Sequence, residues 1–142
     1  MNRGVKHTLW GILGVWVILM IAFSPKLIEA HREVTDAQQL FTGYATSLLN
    51  HRYEEAYSFC GSEFRNAMPY DRFAKLQMDL EEQYGILKSF KRVGCEVHGK
   101  GNPLYWRGVV DGDFVYEKKT LRFEFVFHKD ADRWVIYGYE QL

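Results

Sequence analysis

The chain has little of what usually marks a nucleic-acid-binding or metal-dependent protein. Its 142 residues include 18 basic and 18 acidic side chains, so the formal net charge is zero. It has no low-complexity segment, no internal repeat and no run of like charge. Without a net positive charge the chain has no long-range attraction for a phosphate backbone, which argues against nucleic acid as a partner.

One long apolar segment is present, at residues 9–23. It contains fifteen residues without a charge, and Arg3, Lys6 and His7 precede it. As a helix rising about 1.5 Å per residue it would cover roughly 22 Å, less than a ~30 Å hydrocarbon core, so flanking residues must contribute if it spans a membrane. The segment predicts either an uncleaved signal anchor or a cleaved signal peptide within residues 1–24.

The flanks of this segment favour the anchor. Pro25 directly follows the small residues Ala22 and Ser24 and should hinder cleavage. The basic N-terminus predicts that it stays in the cytoplasm and that the rest of the chain lies outside, on the periplasmic side of a bacterial inner membrane, or is secreted if cleavage occurs. Residues 25–32 are predicted to be a linker, and residues 33–142 are enough for one small domain.

Three helices are predicted in the first half of this domain. Apolar residues recur at helical spacing over residues 34–49. A second helix is predicted at about 53–60, ending at Gly61, and a third opens at Pro69 and stops at Gly85.

After Gly85 the apolar period changes from 3.6 to 2. This predicts four strands, at about 86–98, 104–116, 120–128 and 133–140. We expect His128 to pair with Arg133 across a four-residue loop and Tyr116 to pair with Leu121, which places the aromatic rings on one face. A longer loop or a bulge is expected at the two lysines between the second and third strands. In the first strand the expected inner residues are Val93, Cys95 and Val97.

The resulting fold class is α+β, and several short motifs carry a resemblance to a known family. These are YEEAY at 53–57, SEFR at 62–65, DRF at 71–73, YGILKS at 84–89 and DRWVIYGY at 132–139. Together they resemble small NTF2-like domains of bacterial exported proteins. The resemblance implies a cone in which three N-terminal helices pack on a curved four-stranded antiparallel meander. It does not imply an activity, because this family includes enzymes, transport factors and secretion scaffolds.

NTF2-like domains often hold a pocket between the helices and the curved sheet. The predicted lining here is aromatic: Tyr44, Tyr57, Phe73, Tyr84, Trp106, Phe114, Tyr116, Phe123, Phe125 and Trp134. No Asp, Glu or His belongs to this inward set, so we predict no catalytic residue and no cofactor. A filled core, an apolar ligand pocket and a catalytic pocket remain as alternatives.

The opposite face of the sheet is predicted to be rich in tyrosine and valine: Tyr105, Val109, Val126, Val135, Tyr137 and Tyr139. An apolar centre with a charged rim suits an interface. The resemblance implies association through this face, with a second copy or with another membrane or periplasmic protein. Scattered surface aromatics are the alternative.

Two further groups of residues are candidate sites. Cys60 and Cys95 are the two cysteines, and an exported domain would permit a disulfide between them if their Cα atoms come within ~7 Å; two free thiols are the alternative. The polar residues of the strands match no compact ligand motif, so no metal site is predicted. These residues are Glu96, His98, Asp111, Asp113 and His128.

The sequence therefore predicts a membrane-anchored, extracytoplasmic binding or assembly module without an evident catalytic set. In layout it resembles the inner-membrane assembly factors of type IV secretion. The alternative is an exported protein that binds a small molecule in the cone, or that uses the cone as an isomerase or dehydratase does.

Overall fold

The computed structural model describes the backbone of residues 3–101 and 105–142, and the side chains of residues 25, 27–101 and 105–142. This part of the chain has an α+β fold with four helices and a four-stranded antiparallel sheet, as the sequence predicts at this level. The strand order is β1-β2-β3-β4. The elements are α1 (Arg3–Leu49), α2 (Tyr53–Ser58), α3 (Ser62–Ala67), α4 (Tyr70–Tyr84), β1 (Leu87–Lys100), β2 (Tyr105–Tyr116), β3 (Thr120–Asp130) and β4 (Arg133–Gln141).

The chain divides into two compact units, one ending at Glu33 and the other formed by Val34–Leu142. The predicted linker at 25–32 is helical and belongs to α1, with Pro25 inside the helix. Residues 26–33 include good helix formers such as Lys, Leu, Ala, Arg and Glu, which explains why the segment is not extended. No helix among the residues that the structure describes is both long and apolar enough to cross a membrane. The side chains of residues 9–23 lie outside the described part, so the anchor stays a prediction.

The helices of the second unit differ from the prediction at one place. The predicted helix at 53–60 ends earlier, at Ser58, and a further helix, α3, follows the Gly61 N-cap. With six residues, α3 is too short to show a helical period in the sequence. Gly85, with φ of 83°, ends α4 as predicted.

The register between β2 and β3 is two residues away from the predicted one. Phe114 pairs with Leu121, where the sequence suggested Tyr116. β2 ends at Tyr116 and β3 begins at Thr120, so the connection, 117–119, is longer than the two lysines alone, as expected. The Tyr116 N–H donates to the Lys119 carbonyl at 2.9 Å across this loop. Because side chains alternate with a period of two, this error leaves every residue on its predicted face.

The β3–β4 hairpin changes a face assignment. Asp130 pairs with Arg133, so the predicted pairing of His128 with Arg133 and its four-residue loop are wrong. Further along, Phe127 pairs with Ile136 but Val126 pairs with Gly138, and Tyr137 is the extra residue of a β-bulge. Because of the bulge, the side chains at the end of β4 point to the face opposite to the predicted one.

Two register shifts also interrupt β1. Arg92 pairs with Gly112 and Gly94 pairs with Asp111, which leaves Val93 unpaired and 47% exposed, against the prediction that it faces inward. Cys95 and Val97 pack against the core as predicted. Phe90 takes the inward place that was assigned to Val93.

Aromatic rings fill the space between the helices and the inner face of the sheet. Phe41 of α1 lies at the centre, with ring centroids 5.5 Å from Phe125 and 6.1 Å from both Phe90 and Phe114. Gly112 permits this close approach, because a Cβ there would lie 2.5 Å from the Phe41 ring. Helix α1 therefore packs closely against strand β2.

Candidate functional site

The cone that the sequence suggested as a pocket is almost filled. The space between the helices and the inner face holds a cavity of about 10 Å³. This volume is enough for one water molecule and too small for an organic ligand. Its lining residues are Tyr44, Leu48, Gln77, Leu80, Phe114, Tyr116, Phe123, Phe125 and Tyr139.

Half of the predicted lining therefore lies elsewhere. Phe73 is fully buried in the core, and Trp106 packs against the core's edge. The Tyr57 hydroxyl donates to the Met68 carbonyl at 3.0 Å. Tyr84 lies beside Tyr116, and Trp134 lines a separate groove described below. The physical reason is that the Phe41 and Phe125 rings, 5.5 Å apart, fill the middle of the space between the helices and the sheet.

The polar groups around this cavity are phenols and an amide. Burial raises the pKa of Tyr44 well above its ordinary value, and burial raises the pKa of Tyr116 to about 12. The pKa of Tyr139 is also raised, mainly by burial, and the nearby Gln77 amide offsets a smaller part of that shift. The Tyr139 hydroxyl is buried and has no hydrogen-bond partner among the described residues. Phenols that stay protonated at neutral pH make poor general bases.

Gln77 lies in the core, which the sequence pattern did not predict. It is 6% exposed, and its side chain faces the core between those of Phe73 and Leu80. The signal was available, because a residue four positions after Phe73 and three before Leu80 lies on the same helix face.

The two cysteines lie at opposite edges of the sheet, and the structure records both as free thiols. Cys60 pairs with Ile136 beyond β4, whereas Cys95 belongs to β1 at the other edge. Four inter-strand spacings of about 4.8 Å separate them, far more than the ~7 Å that a disulfide allows. The disulfide is therefore excluded in this fold. Burial raises the pKa of Cys60 to about 12 and makes it a poor nucleophile.

The outer face carries a cluster of three rings, which we call the outer aromatic cluster: Tyr105, His128 and Tyr137. The His128 and Tyr137 rings are stacked with centroids 4.1 Å apart, and the Tyr105 centroid lies 5.1 Å from that of His128. Both tyrosines are 44% exposed. The cluster thus combines close ring contacts with exposure to solvent.

Charges flank a valine pair next to this cluster. Val109 and Val126 lie directly opposite each other on β2 and β3. Two residues along on one side, Arg107 pairs with His128. On the other side, two residues from the valine pair, three acidic residues form a row across three strands: Asp111, Glu124 and Glu140. The Asp111 Oδ1 atom is buried and has no hydrogen-bond partner within the described chain.

Two of the six predicted interface residues do not belong to the exposed outer face. Val135 is only 3% exposed, because the backbone at Gly61 covers it: a Cβ at Gly61 would lie 2.8 Å from Val135 Cγ2. Tyr139 turns inward as a consequence of the bulge at Tyr137, and its ring lies 5.3 Å from that of Phe125. Tyr105, Val109, Val126 and Tyr137 remain as the outer-face set.

The surroundings of this face shift the pKa values of His128 and Asp113, among other groups. Burial lowers the pKa of His128, and the neighbouring Arg107 lowers it further, while Glu63 acts in the opposite direction. Arg122 donates two hydrogen bonds to Asp113, at 2.6 and 2.9 Å, and they hold the carboxyl pKa below its usual range.

The polar strand residues that were candidate metal ligands do not form one cluster. Glu96 and His98 contact each other at 3.5 Å, Asp113 is held by Arg122, and His128 stacks on Tyr137. Over residues 25, 27–101 and 105–142, no group of three or more His, Cys, Asp or Glu side chains is arranged to hold a metal ion.

Larger concavities lie outside the space between the helices and the sheet, and the sequence did not predict them as sites; two of them exceed about 300 Å³. One, of about 400 Å³, is enclosed by α1, the end of α2 and the β3–β4 hairpin. The other, of about 460 Å³, surrounds the start of α2. There the His51 ring contacts the Tyr53 hydroxyl at 3.3 Å and the Glu81 carboxylate at 3.4 Å.

His51 takes an unusual backbone conformation at this second concavity. Its φ is 56°, and its N–H donates to the Leu48 carbonyl while the Arg52 N–H donates to the Ser47 carbonyl. These two bonds form the Schellman motif that ends α1, where glycine is the preferred residue. The contacts with Tyr53 and Glu81 therefore accompany a left-handed cap.

Comparison with known proteins identifies no family: no protein-family model matches the chain, and no curated protein matches its sequence.

Proposed function

We propose that this protein is a membrane-anchored, extracytoplasmic binding module of the NTF2-like type that acts through the outer face of its sheet. The observation that carries the proposal is the contrast between the two faces. The inner face leaves a cavity of about 10 Å³, whereas the outer face presents two tyrosines that are each 44% exposed. A module that works through an open surface needs no pocket.

The NTF2-like assignment has two supports. The sequence motifs at 53–57 and 132–139 resemble that family, and the helices of the second unit pack on the inner face of an antiparallel meander. The anchor is supported by the charge-free run at residues 9–23 behind a basic N-terminus.

A second copy of the chain is the partner that fits the outer face best. Asp111 and Arg107 lie two residues on either side of Val109, and Glu124 and His128 lie two residues on either side of Val126. A two-fold axis through the valine pair would bring the acidic row of one copy over Arg107 of the other, which is the self-complementarity that an isologous interface requires. It would also offer a donor to the buried Asp111 Oδ1 atom.

The experiment measures the oligomeric state of the full chain in detergent by analytical ultracentrifugation. Tyr137→Asp and Tyr105→Asp each place a charge in the proposed interface and should weaken dimerisation at least tenfold. Met78→Asp is the matched control, because Met78 is 53% exposed on α4, away from this face. A chain that stays monomeric at high concentration would exclude the second copy as partner. If Met78→Asp weakened dimerisation as much as the tyrosine variants do, the outer face would be excluded as the dimer interface.

The location is tested separately by fusing reporter enzymes at Leu142. An enzyme that is active only after export should work in this fusion, and one that is active only in the cytoplasm should not. The reverse result would overturn the topology without bearing on the outer face.

The alternative, a protein that uses the cone for a small molecule, needs more space than the cavity offers. An apolar fluorescent probe should therefore show no saturable binding to the full chain beyond its partition into detergent. Saturable binding that Tyr44→Phe or Gln77→Leu alters would revive this alternative.

A further inference from the structure

The 400 Å³ concavity has the composition of a binding site and lies away from both the cone and the outer aromatic cluster. We call it the hairpin groove. Three elements form it: α1, the end of α2, and the hairpin between β3 and β4. Its lining residues are Asp36, Gln39, Leu40, Ser58, Phe59, Asp132, Arg133 and Trp134. Its volume lies in the range of sites that bind small molecules or short peptide segments.

The apolar part of the hairpin groove consists of Leu40, Phe59 and Trp134. Trp134 is 4% exposed and belongs to the core cluster, so its ring is held in place. The Phe59 backbone is fixed on both sides, since its N–H donates to the Ala56 carbonyl and its carbonyl accepts from the Ile136 N–H. The Phe59 ring lies against α1, where a Cβ on Gly43 would be 2.8 Å from it. This surface is therefore preformed.

The polar part of the groove is predominantly acidic. Asp36 comes from α1 and Asp132 from the hairpin turn, so two separate elements each contribute a carboxylate to the same groove. Arg133 is the one basic side chain among the lining residues. The Ser58 hydroxyl already donates to the Glu55 carbonyl at 2.6 Å, which leaves Gln39 as the neutral hydrogen-bonding side chain.

We infer that the hairpin groove is a docking site for an extended segment of a partner protein that carries a lysine or arginine beside an apolar side chain. The apolar side chain packs on Leu40 and Phe59, which are both partly exposed, beside the buried Trp134 ring. The cation lies between Asp36 and Asp132, and Gln39 hydrogen-bonds to the peptide backbone. Two carboxylates against one guanidinium give the groove the charge that such a segment complements.

The inference does not rest on the outer face, and its test is independent of that proposal. Three tripeptides, acetylated and amidated, serve as probes: Leu-Lys-Leu, Leu-Gln-Leu and Leu-Glu-Leu. Binding to the full chain in detergent is followed by the NMR shifts of the backbone amides of Gln39, Phe59 and Asp132. We expect the lysine peptide to bind more tightly than the glutamine peptide, and the glutamate peptide to bind most weakly. Raising the salt concentration should reduce these differences.

Variants of the groove identify the groups responsible. Asp36→Asn and Asp132→Asn should each weaken the lysine peptide by about 2- to 5-fold, the range expected for ion pairs near the surface. Arg133→Gln should leave its binding unchanged or strengthen it. Gly43→Ala should weaken all three peptides, because the new methyl group displaces the Phe59 ring.

Asp71→Asn, on α4, is the control for the change in net charge, and thermal unfolding checks that every variant is folded. Tyr137→Asp should leave peptide binding unchanged even if it abolishes dimerisation. The inference is overturned if no peptide shifts the three amides, if the glutamate peptide binds as tightly as the lysine peptide, or if Asp71→Asn weakens binding as much as Asp36→Asn does.

Discussion

The inner and outer faces of the sheet both carry aromatic side chains, but in different surroundings. On the inner face, Phe125 is 2% exposed and its ring lies within 5.5 Å of those of Phe41, Tyr44 and Tyr139. On the outer face, Tyr137 stacks on His128 yet stays 44% exposed. Alternation alone does not separate a core from an exposed surface. The difference arises because the helices cover one face and leave the other open.

The largest expected effect tests this contrast directly. Phe125→Ala removes a ring from the centre of the inner face and should lower the free energy of unfolding by about 3–5 kcal/mol. Tyr137→Ala on the outer face should lower it by less than about 1 kcal/mol, because much of that ring already contacts solvent. Chemical denaturation of both variants measures the two values.

If Phe125→Ala fails to fold, Phe125→Leu should show a smaller loss in the same direction. Equal losses for the inner and outer variants would mean that the outer aromatic cluster is part of the core.

The second prediction compares two glycines. Gly112→Ala places a methyl group 2.5 Å from the Phe41 ring and should cost about 1–3 kcal/mol through overpacking. Gly138→Ala meets no atom within 4 Å and should be neutral or raise stability by up to about 1 kcal/mol, because alanine loses less conformational freedom on folding. Thermal unfolding distinguishes the two, and a neutral Gly112→Ala would show that α1 can move away from β2.

The third prediction compares two tyrosine hydroxyls. Tyr57→Phe removes the donor of a 3.0 Å hydrogen bond to the Met68 carbonyl and should cost about 0.5–1.5 kcal/mol. Tyr139→Phe removes a buried hydroxyl that has no such partner in the described chain, and stability should stay the same or rise by up to about 1 kcal/mol. Denaturation midpoints of the two variants give the comparison.

A clear loss of stability in Tyr139→Phe would contradict this prediction. It would mean that the Gln77 amide, which also lowers the Tyr139 pKa, or a water molecule in the small cavity satisfies the Tyr139 hydroxyl.

The smallest expected effect is a dependence on pH at the outer face. Burial and Arg107 lower the pKa of His128, so the unfolded chain binds a proton at this residue more readily than the folded protein does. The resulting stabilisation is complete above the usual histidine pKa of about 6.5 and is lost as the pH falls through the lowered value. His128→Gln should therefore lose less stability than the parent between about pH 7.5 and about pH 5. Identical pH profiles for the parent and the variant would contradict it.

The sequence predicted the element types well because their signals are local. The change of period after Gly85 located all four strands within a few residues, and the glycine itself ended α4. The predicted registers of the β2–β3 and β3–β4 hairpins are each two residues away from the observed ones. In β2–β3 the difference leaves the face assignments correct, because faces repeat every two residues. A β-bulge has no comparable signal, so the inward turn of Tyr139 could not be predicted.

The candidate sites depend on contacts that are distant in sequence, which limits what the pattern could show. The space between the helices and the sheet is filled because Phe41 lies deep within it, and Gly112 on β2 permits this position. The hairpin groove joins residues almost a hundred positions apart, such as Asp36 and Asp132. Neither feature has a local spacing in the sequence from which it could be inferred. The inward position of Gln77, by contrast, follows from its helical spacing to Phe73 and Leu80.

The two interruptions of β1 affect how copies of this chain can meet. β1 is a fourteen-residue edge strand, long enough to pair with a strand of a neighbouring molecule. The register shifts at Leu87/Ser89 and Arg92/Gly94 break the regular row of hydrogen-bonding groups, and Lys91 and Arg92 add exposed positive charge along the strand. Extension of the sheet from one molecule to the next is thereby discouraged, and a protein with an exposed aromatic face is protected from open-ended polymerisation.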